Sequence, residues 1–361
     1  MHGVPVICVP ARFGAARQLN EEDSHLKILW FLAHLPFWVA ASPPMLLALG
    51  QLAPKKPNKQ PLRPGVSTPG VRRQMSAIEP QAVFPVPGEP DWQVITDDAV
   101  WVSNEPRNTV HRLDPKTNQI AAIVDVGQKP CSGLAAGFGS IWVPICGAKA
   151  LSRIDTRTNK VTATLPIGPA ESEGGIAASP DSIWMLTDPK GTLSRIDPET
   201  NRVTAKIAVA ADSAACTFGE GAIWITTPGK NLLSRVDPKT NKVTHRVKVG
   251  PGPRFLAVGA GSVWTLNQGN GTVTRIAVDT GKVLANIELG VPGSGGEIAF
   301  GGGHIWATVF QVPLSEIDPE TNQVIKQWFG PGGDAVRVGH GSIWLSNLRE
   351  GNVWRLSLDQ E

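Results

Sequence analysis

The 361-residue chain has no tyrosine, only four cysteines, four methionines and seven histidines, and charged residues make up just 18% of it. Each shortage narrows the chemistry. Thirty-four Lys and Arg against 31 Asp and Glu leave a net charge of +3, too small and too dispersed to mark a nucleic-acid binder. The histidines are scattered, and the sequence contains no zinc-ligand spacing, glycine-rich phosphate loop or nucleophile elbow. Long apolar runs are scarce as well. The one present, Ile28 to Ala53, is interrupted by His34, Pro36, Pro43 and Pro44, and reads better as an export signal than as a spanning helix. Its leader sets Glu21, Glu22 and Asp23 against Arg12, Arg17 and Lys27, so a retained anchor or a wrongly chosen start stays open.

What abounds is punctuation. The 38 Gly and 31 Pro exclude a helical bundle, while 41% hydrophobic residues and 12 Trp supply a core. Pro54 to Pro80 is rich in Pro, Lys and Gln, with almost no apolar pattern, and reads as a disordered tether. The expected organisation is a leader over 1–53, a linker over 54–80 and a folded domain over 81–361.

From Trp92 onward the chain repeats itself. AVWVSN, SIWVPI, SIWMLT, AIWITT, SVWTLN, HIWATV and SIWLSN place tryptophans at 101, 142, 184, 224, 264, 306 and 344, with spacings of 38 to 42 residues. Short apolar runs between Gly-rich turns at this period predict an all-β fold, a seven-bladed β-propeller of four-stranded blades, strands A to D in each. Between C and D recur DPKTN, DTRTN and DPETN; only blade 5 departs, with AVDTGK. One carboxylate in a tight hairpin is turn chemistry rather than a calcium site. Blade 7 stops at strand C, and residues near Gln81 to Val86 align with a strand D, so the two chain ends are expected to close the ring and remove its open edge.

WVSN followed by NTVHRLDPKTN resembles the YVTN-repeat propellers and their virginiamycin B lyase-like relatives over about Gln81 to Glu361. Propellers carry many activities on one frame, so the resemblance speaks first to fold.

If the A to B hairpin of blade 2 turns symmetrically about Phe138 and Gly139, Cys131 and Cys146 lie directly opposite each other, close enough for a disulfide. Such a bond suits a periplasmic or secreted protein. Cys216 reads as a small buried hydrophobe, and Cys8 leaves with the leader.

Ligands of propellers bind where A-strand starts and B to C loops meet the central channel. Counting from each tryptophan, that face should hold Asp91, Ser132, Arg254 and Asp334 from the A side, and Glu105, Asp188 and Gln268 from the B to C loops. Glu89, Asp91 and Glu105 should cluster in blade 1. The lyases in the resembled family use a Glu-x-His at strand A and a Glu four residues past the blade tryptophan, the two Glu holding Mg²⁺ and the His removing a proton. The resemblance therefore implies Glu89 and Glu105 as ligands for Mg²⁺ or Ca²⁺, with Asp91 where the histidine stands. An aspartate, with a pKa of about 3.9, is a poorer base near neutrality than an imidazole at about 6.5.

Two main readings follow. One is an extracytoplasmic, monomeric propeller that binds a small ligand or protein partner at the channel face without catalysis, touching a membrane only through an uncleaved anchor. The other is a metal-dependent carbon-oxygen lyase opening a lactone or ester by elimination, with Asp91 as base and Arg254 contacting an anion or carbonyl. A redox-cofactor propeller is the third class, but no ligand set for haem, copper or a quinone can be named.

Overall fold

The burial pattern shows why these segments become strands. Strand B of blade 1 (Ala99–Asn104) is buried at every residue, whereas strand D (Gln119–Asp125) alternates between exposed and covered positions. A strand sandwiched between neighbouring blades tolerates a continuous apolar run; an outer strand wetted on one side needs alternation. The computed structural model describes residues 65–359. These form seven antiparallel sheets of four blade strands each, and strand A of each blade lies beside that of the next around a closed ring. The expected all-β, seven-bladed propeller is what forms. The apolar run at 28–53 and Cys8 lie outside the described residues. Among those described, no helix is long and apolar enough to cross a membrane.

Closure occurs as the sequence implies. Ala82–Pro85 pairs antiparallel with Asn352–Ser357, strand C of blade 7, with Val83 opposite Trp354. The linker expectation fails from residue 65 onward. Arg72–Gln74 adds a fifth strand, parallel to strand D of blade 6 (Gln323–Phe329), and Val66, Val71, Met75 and Ile78 are buried. The four apolar residues are spaced irregularly, so they carry no periodic signal, yet Met75 and Ile78 pack in one cluster with Trp328, which is only 1% exposed, and Val66 and Val71 in another with Phe329. Trp328 is thus a packing residue.

Each blade tryptophan is buried and its indole N–H is satisfied, as in Trp142 Nε1 donating to Gly137 O at 3.2 Å. Opposite it on strand C of six blades stands an arginine, stacked on the indole at 4.7 Å in blades 2 and 5. The arginine then reaches the next blade. Arg195 Nη1 donates to Pro238 O (2.9 Å) and Asn241 Oδ1 (3.3 Å); Arg153 does the same to Pro198 and Asn201, Arg275 to Pro319 and Asn322, and Arg355 to Pro115 and Asn118 across the closure. The recurring turn therefore does more than reverse the chain. Its Asp caps the turn, its Asn takes the left-handed conformation (φ 55–57°), and its Pro carbonyl and Asn side chain accept a guanidinium from the previous blade. Where the turn changes, the clasp is lost. Thr156 replaces Pro in blade 2, and Asn159 Oδ1 is left buried without a partner; Gly281 replaces Asn in blade 5, and Arg235 turns to Thr244.

The disulfide forms between Cys131 and Cys146, with Cα atoms 5.9 Å apart. Its geometry differs from the expected one. Ala135 pairs with Trp142 as the symmetric hairpin requires, but farther out Pro130 pairs with Ile145, a shift that sets Cys131 against Pro144. The two cysteines bridge diagonally across the shifted register. Cys216 is free and buried, and burial drives its thiol pKa far upward.

Candidate functional site

At the face where A strands begin and B to C loops end, the ring encloses an open cavity of about 540 Å³. A second cavity, of about 240 Å³, continues along the axis between the A strands. Trp92 of blade 1 and Phe255 of blade 5 line both and meet edge to face across the channel, ring centroids 5.8 Å apart, so the axis is plugged rather than a through-pore. Both are nearly fully buried and form an apolar floor under the larger cavity.

Ser132, Arg254, Gln268, Asp91, Glu105 and Asp334 line this cavity, as the tryptophan count implied. Asp188 does not. It accepts a hydrogen bond from Lys190 N (2.8 Å), capping its own turn. Two residues that the count missed stand one position away from it, Glu173 before Gly174 and Glu297 after Gly296. Both glycines take positive φ, 72° and 86°, and at Gly296 a Cβ would strike Thr308 O. That turn swings the neighbouring carboxylate into the channel, where a fixed count from the tryptophan does not reach. Glycines in the paired position were the available signal.

The carboxylates are locked by partners on other blades. Arg254 makes two bonds to Glu173, Nε to Oε2 at 2.8 Å and Nη2 to Oε1 at 2.7 Å, joining blades 5 and 3. Arg337 donates to Glu297 Oε1, joining blades 7 and 6. Burial raises the Glu297 carboxyl, and Arg337 opposes the rise. Gln268 Nε2 donates to Gly295 O at 3.1 Å. Asp91 and Asp334 have no ion-pair partner among the described residues; they hydrogen bond to each other, and Asp334 also accepts Gly296 N–H at 2.9 Å. Burial first, then the Asp334 charge and that hydrogen bond, lift Asp91 well above the usual carboxylate range. Asp334 is also raised by burial, though the bonds from Gly296 and Asp91 hold it down.

The implied metal set does not come together. Glu89 is exposed and does not line the cavity; its backbone N–H donates to Asn104 Oδ1 at 3.3 Å. Glu105 lies 4.0 Å from Lys129 Nζ, a neighbour unsuited to a cation ligand. A local register shift between Pro90 and Gln93 separates Glu89 from Asp91, which the unshifted hairpin would have kept together. Among the described residues, no three His, Cys, Asp or Glu side chains gather to hold a metal. Glu89 and Glu105 therefore do not fit a shared Mg²⁺ or Ca²⁺ site.

A family model described as a repeat of unknown function (DUF6923) matches residues 170–294, within blades 3 to 5. No curated protein matches the sequence. Among solved structures, the chain is similar to selenomethionine-substituted virginiamycin B lyase from Staphylococcus aureus, at 16% identity and a TM-score of 0.64 over 77% of this chain and 98% of that one. It is similar to a streptogramin B lyase at 18% identity and a TM-score of 0.61, over 76% and 95% of the two chains. A catalytically inactive form of the Staphylococcus aureus lyase with quinupristin matches at 16% identity and a TM-score of 0.64, over 75% and 95%. At these identities, the likeness establishes a shared propeller fold.

Proposed function

We propose that this chain is an extracytoplasmic, monomeric propeller that binds a small ligand in the channel-face cavity without transforming it. The observation that carries the reading is the cavity itself, an apolar floor beneath polar side chains fixed by partners on other blades. Groups held in this way lose little freedom when a ligand arrives, which favours affinity. The disulfide at the cavity edge supports an oxidising compartment.

One observation favours a second reading. Burial and the neighbouring Asp334 raise the Asp91 pKa, which makes it a stronger base than an ordinary aspartate, so an elimination using the Asp91–Asp334 pair as acid and base is chemically reasonable. Against it stands the cation set, since Glu89 is exposed and does not line the cavity.

Incubating the purified chain with quinupristin and Mg²⁺, followed by chromatography coupled to mass spectrometry, separates the two. Recovery of intact quinupristin is expected. A ring-opened isomer of unchanged mass, lost in Asp91→Asn, would establish the lyase and overturn the non-catalytic reading.

A further inference from the structure

The cavity's charges do not balance evenly. Arg254 is committed to Glu173 and Arg337 to one oxygen of Glu297. The second oxygen, Glu297 Oε2, has no hydrogen-bond partner, although its side chain is only 7% exposed and lines both cavities. A buried carboxylate oxygen left without a donor is destabilising unless something else donates to it. Beside it stand Asp91 and Asp334, with no ion pair among the described residues. The charged groups facing the aspartate pair are Glu297, Glu173 and Arg349; Arg349 is held at the rim over Phe310, 4.6 Å from the ring centroid. This part of the cavity is short of one donor-bearing positive charge, and beneath it lies the aromatic floor of Trp92 and Phe255.

We propose that the cavity takes an organic ammonium ligand, a protonated amine on an apolar or aromatic body, whose N–H groups donate to Asp91, Asp334 and Glu297 while the body rests on Trp92 and Phe255. An ammonium supplies up to three donors, matching two carboxylates and the free oxygen, and an aromatic floor suits the adjacent carbon skeleton and the cation alike. A compact divalent metal is a poorer match, because it draws its oxygen ligands in to about 2.0–2.6 Å, and no three described carboxylates gather that closely, whereas an ammonium holds its acceptors farther out, at about 2.7–2.9 Å. This assignment rests on the cavity being a ligand site and names the class of ligand.

The test uses the folded chain with phenethylammonium chloride as probe, 2-phenylethanol as its neutral counterpart and phenylacetate as its anionic one, all by isothermal titration. Phenethylammonium is expected to bind at least 10-fold more tightly than either control, and the double variant Asp91→Asn, Asp334→Asn is expected to lose that preference. The comparison among probes needs no variant, so it decides the matter even if the double variant misfolds. Equal binding of the alcohol, or tighter binding of phenylacetate, would overturn the ammonium assignment while leaving a ligand cavity. No heat from any of the three would also overturn it; the ligand reading itself is then decided separately by the cavity-blocking variant described below.

Discussion

At the scale of single residues, the arginines of strand C carry information that the repeat motif concealed. Read as sequence, DPKTN is a turn; in the fold, its Pro carbonyl and Asn amide are the receiving half of a clasp from the preceding blade. Arg195→Ala is expected to cost about 1–3 kcal/mol, the worth of hydrogen bonds to a charged donor, whereas Arg235→Ala, in a blade without the clasp, should cost less. Urea unfolding of the two variants checks the difference. The complementary change is constructive. Gly281 already has φ 67°, where Asn is tolerated, and a Cβ there meets nothing closer than Val247 Cγ2 at 3.4 Å. Gly281→Asn should therefore stabilise the domain by roughly 0.5–1 kcal/mol, from reduced chain entropy and a new acceptor for Arg235, which thermal unfolding would show as a higher Tm. Asp91 makes a pH prediction. Because its native pKa lies above its unfolded value of about 3.9, the native state holds the proton more tightly, and the stability this provides, full below that value, is lost as pH rises through the native pKa. Melting temperatures of Asp91→Asn across pH 4 to 8 should accordingly fall less with rising pH than those of the unaltered chain. Asp91 and Asp334 were both legible as channel-face residues from their distance to the blade tryptophan. Their pairing was not, since it joins blades 1 and 7 across the closure, and no spacing within one repeat encodes a contact between the first and the last.

At the scale of elements, the blade 2 hairpin shows how far register reasoning extends. The symmetric turn correctly brings Cys131 and Cys146 together, but the strands slip between Ala135 and Pro130, so the bond crosses diagonally. A slip of this kind leaves no trace in hydrophobic alternation when the residues involved are Pro, Cys, Ser and Gly. Replacing both cysteines by serine opens a loop of 15 residues and should cost about 3 kcal/mol on the chain-entropy view. Guanidinium unfolding of the double variant, with and without reductant on the parent, measures it. The segment before the ring was the larger misreading. Its abundance of Pro and Lys suggested a tether, yet Val66, Val71, Met75 and Ile78 are enough to dock residues 65–80 on blade 6. Composition averages over a segment, whereas docking needs only a few well-placed side chains.

At the scale of the whole molecule, the ring is closed by one short strand. Ala82–Pro85 completes blade 7, and Arg355 reaches from that blade to the turn of blade 1. A chain beginning at residue 81 should stay folded with reduced stability, having lost only the docked segment, while one beginning at Trp92 exposes an open edge and should lose cooperative unfolding altogether; calorimetry distinguishes the two. The seven-bladed architecture was the most legible feature because each repeat states it again. The cavity was less so, because it is assembled from a few residues of each of six blades, with none from blade 4, and belongs to none of the repeats. Its role is the central claim, and native mass spectrometry of the folded chain after exposure to an extract of small metabolites tests it most directly, alongside Ser294→Trp, which places an indole in the cavity mouth. A bound compound at one copy per chain, released chemically unchanged and absent from the Ser294→Trp variant, is the expected result. An unliganded chain, or equal loading of both proteins, would contradict a ligand site at the channel face.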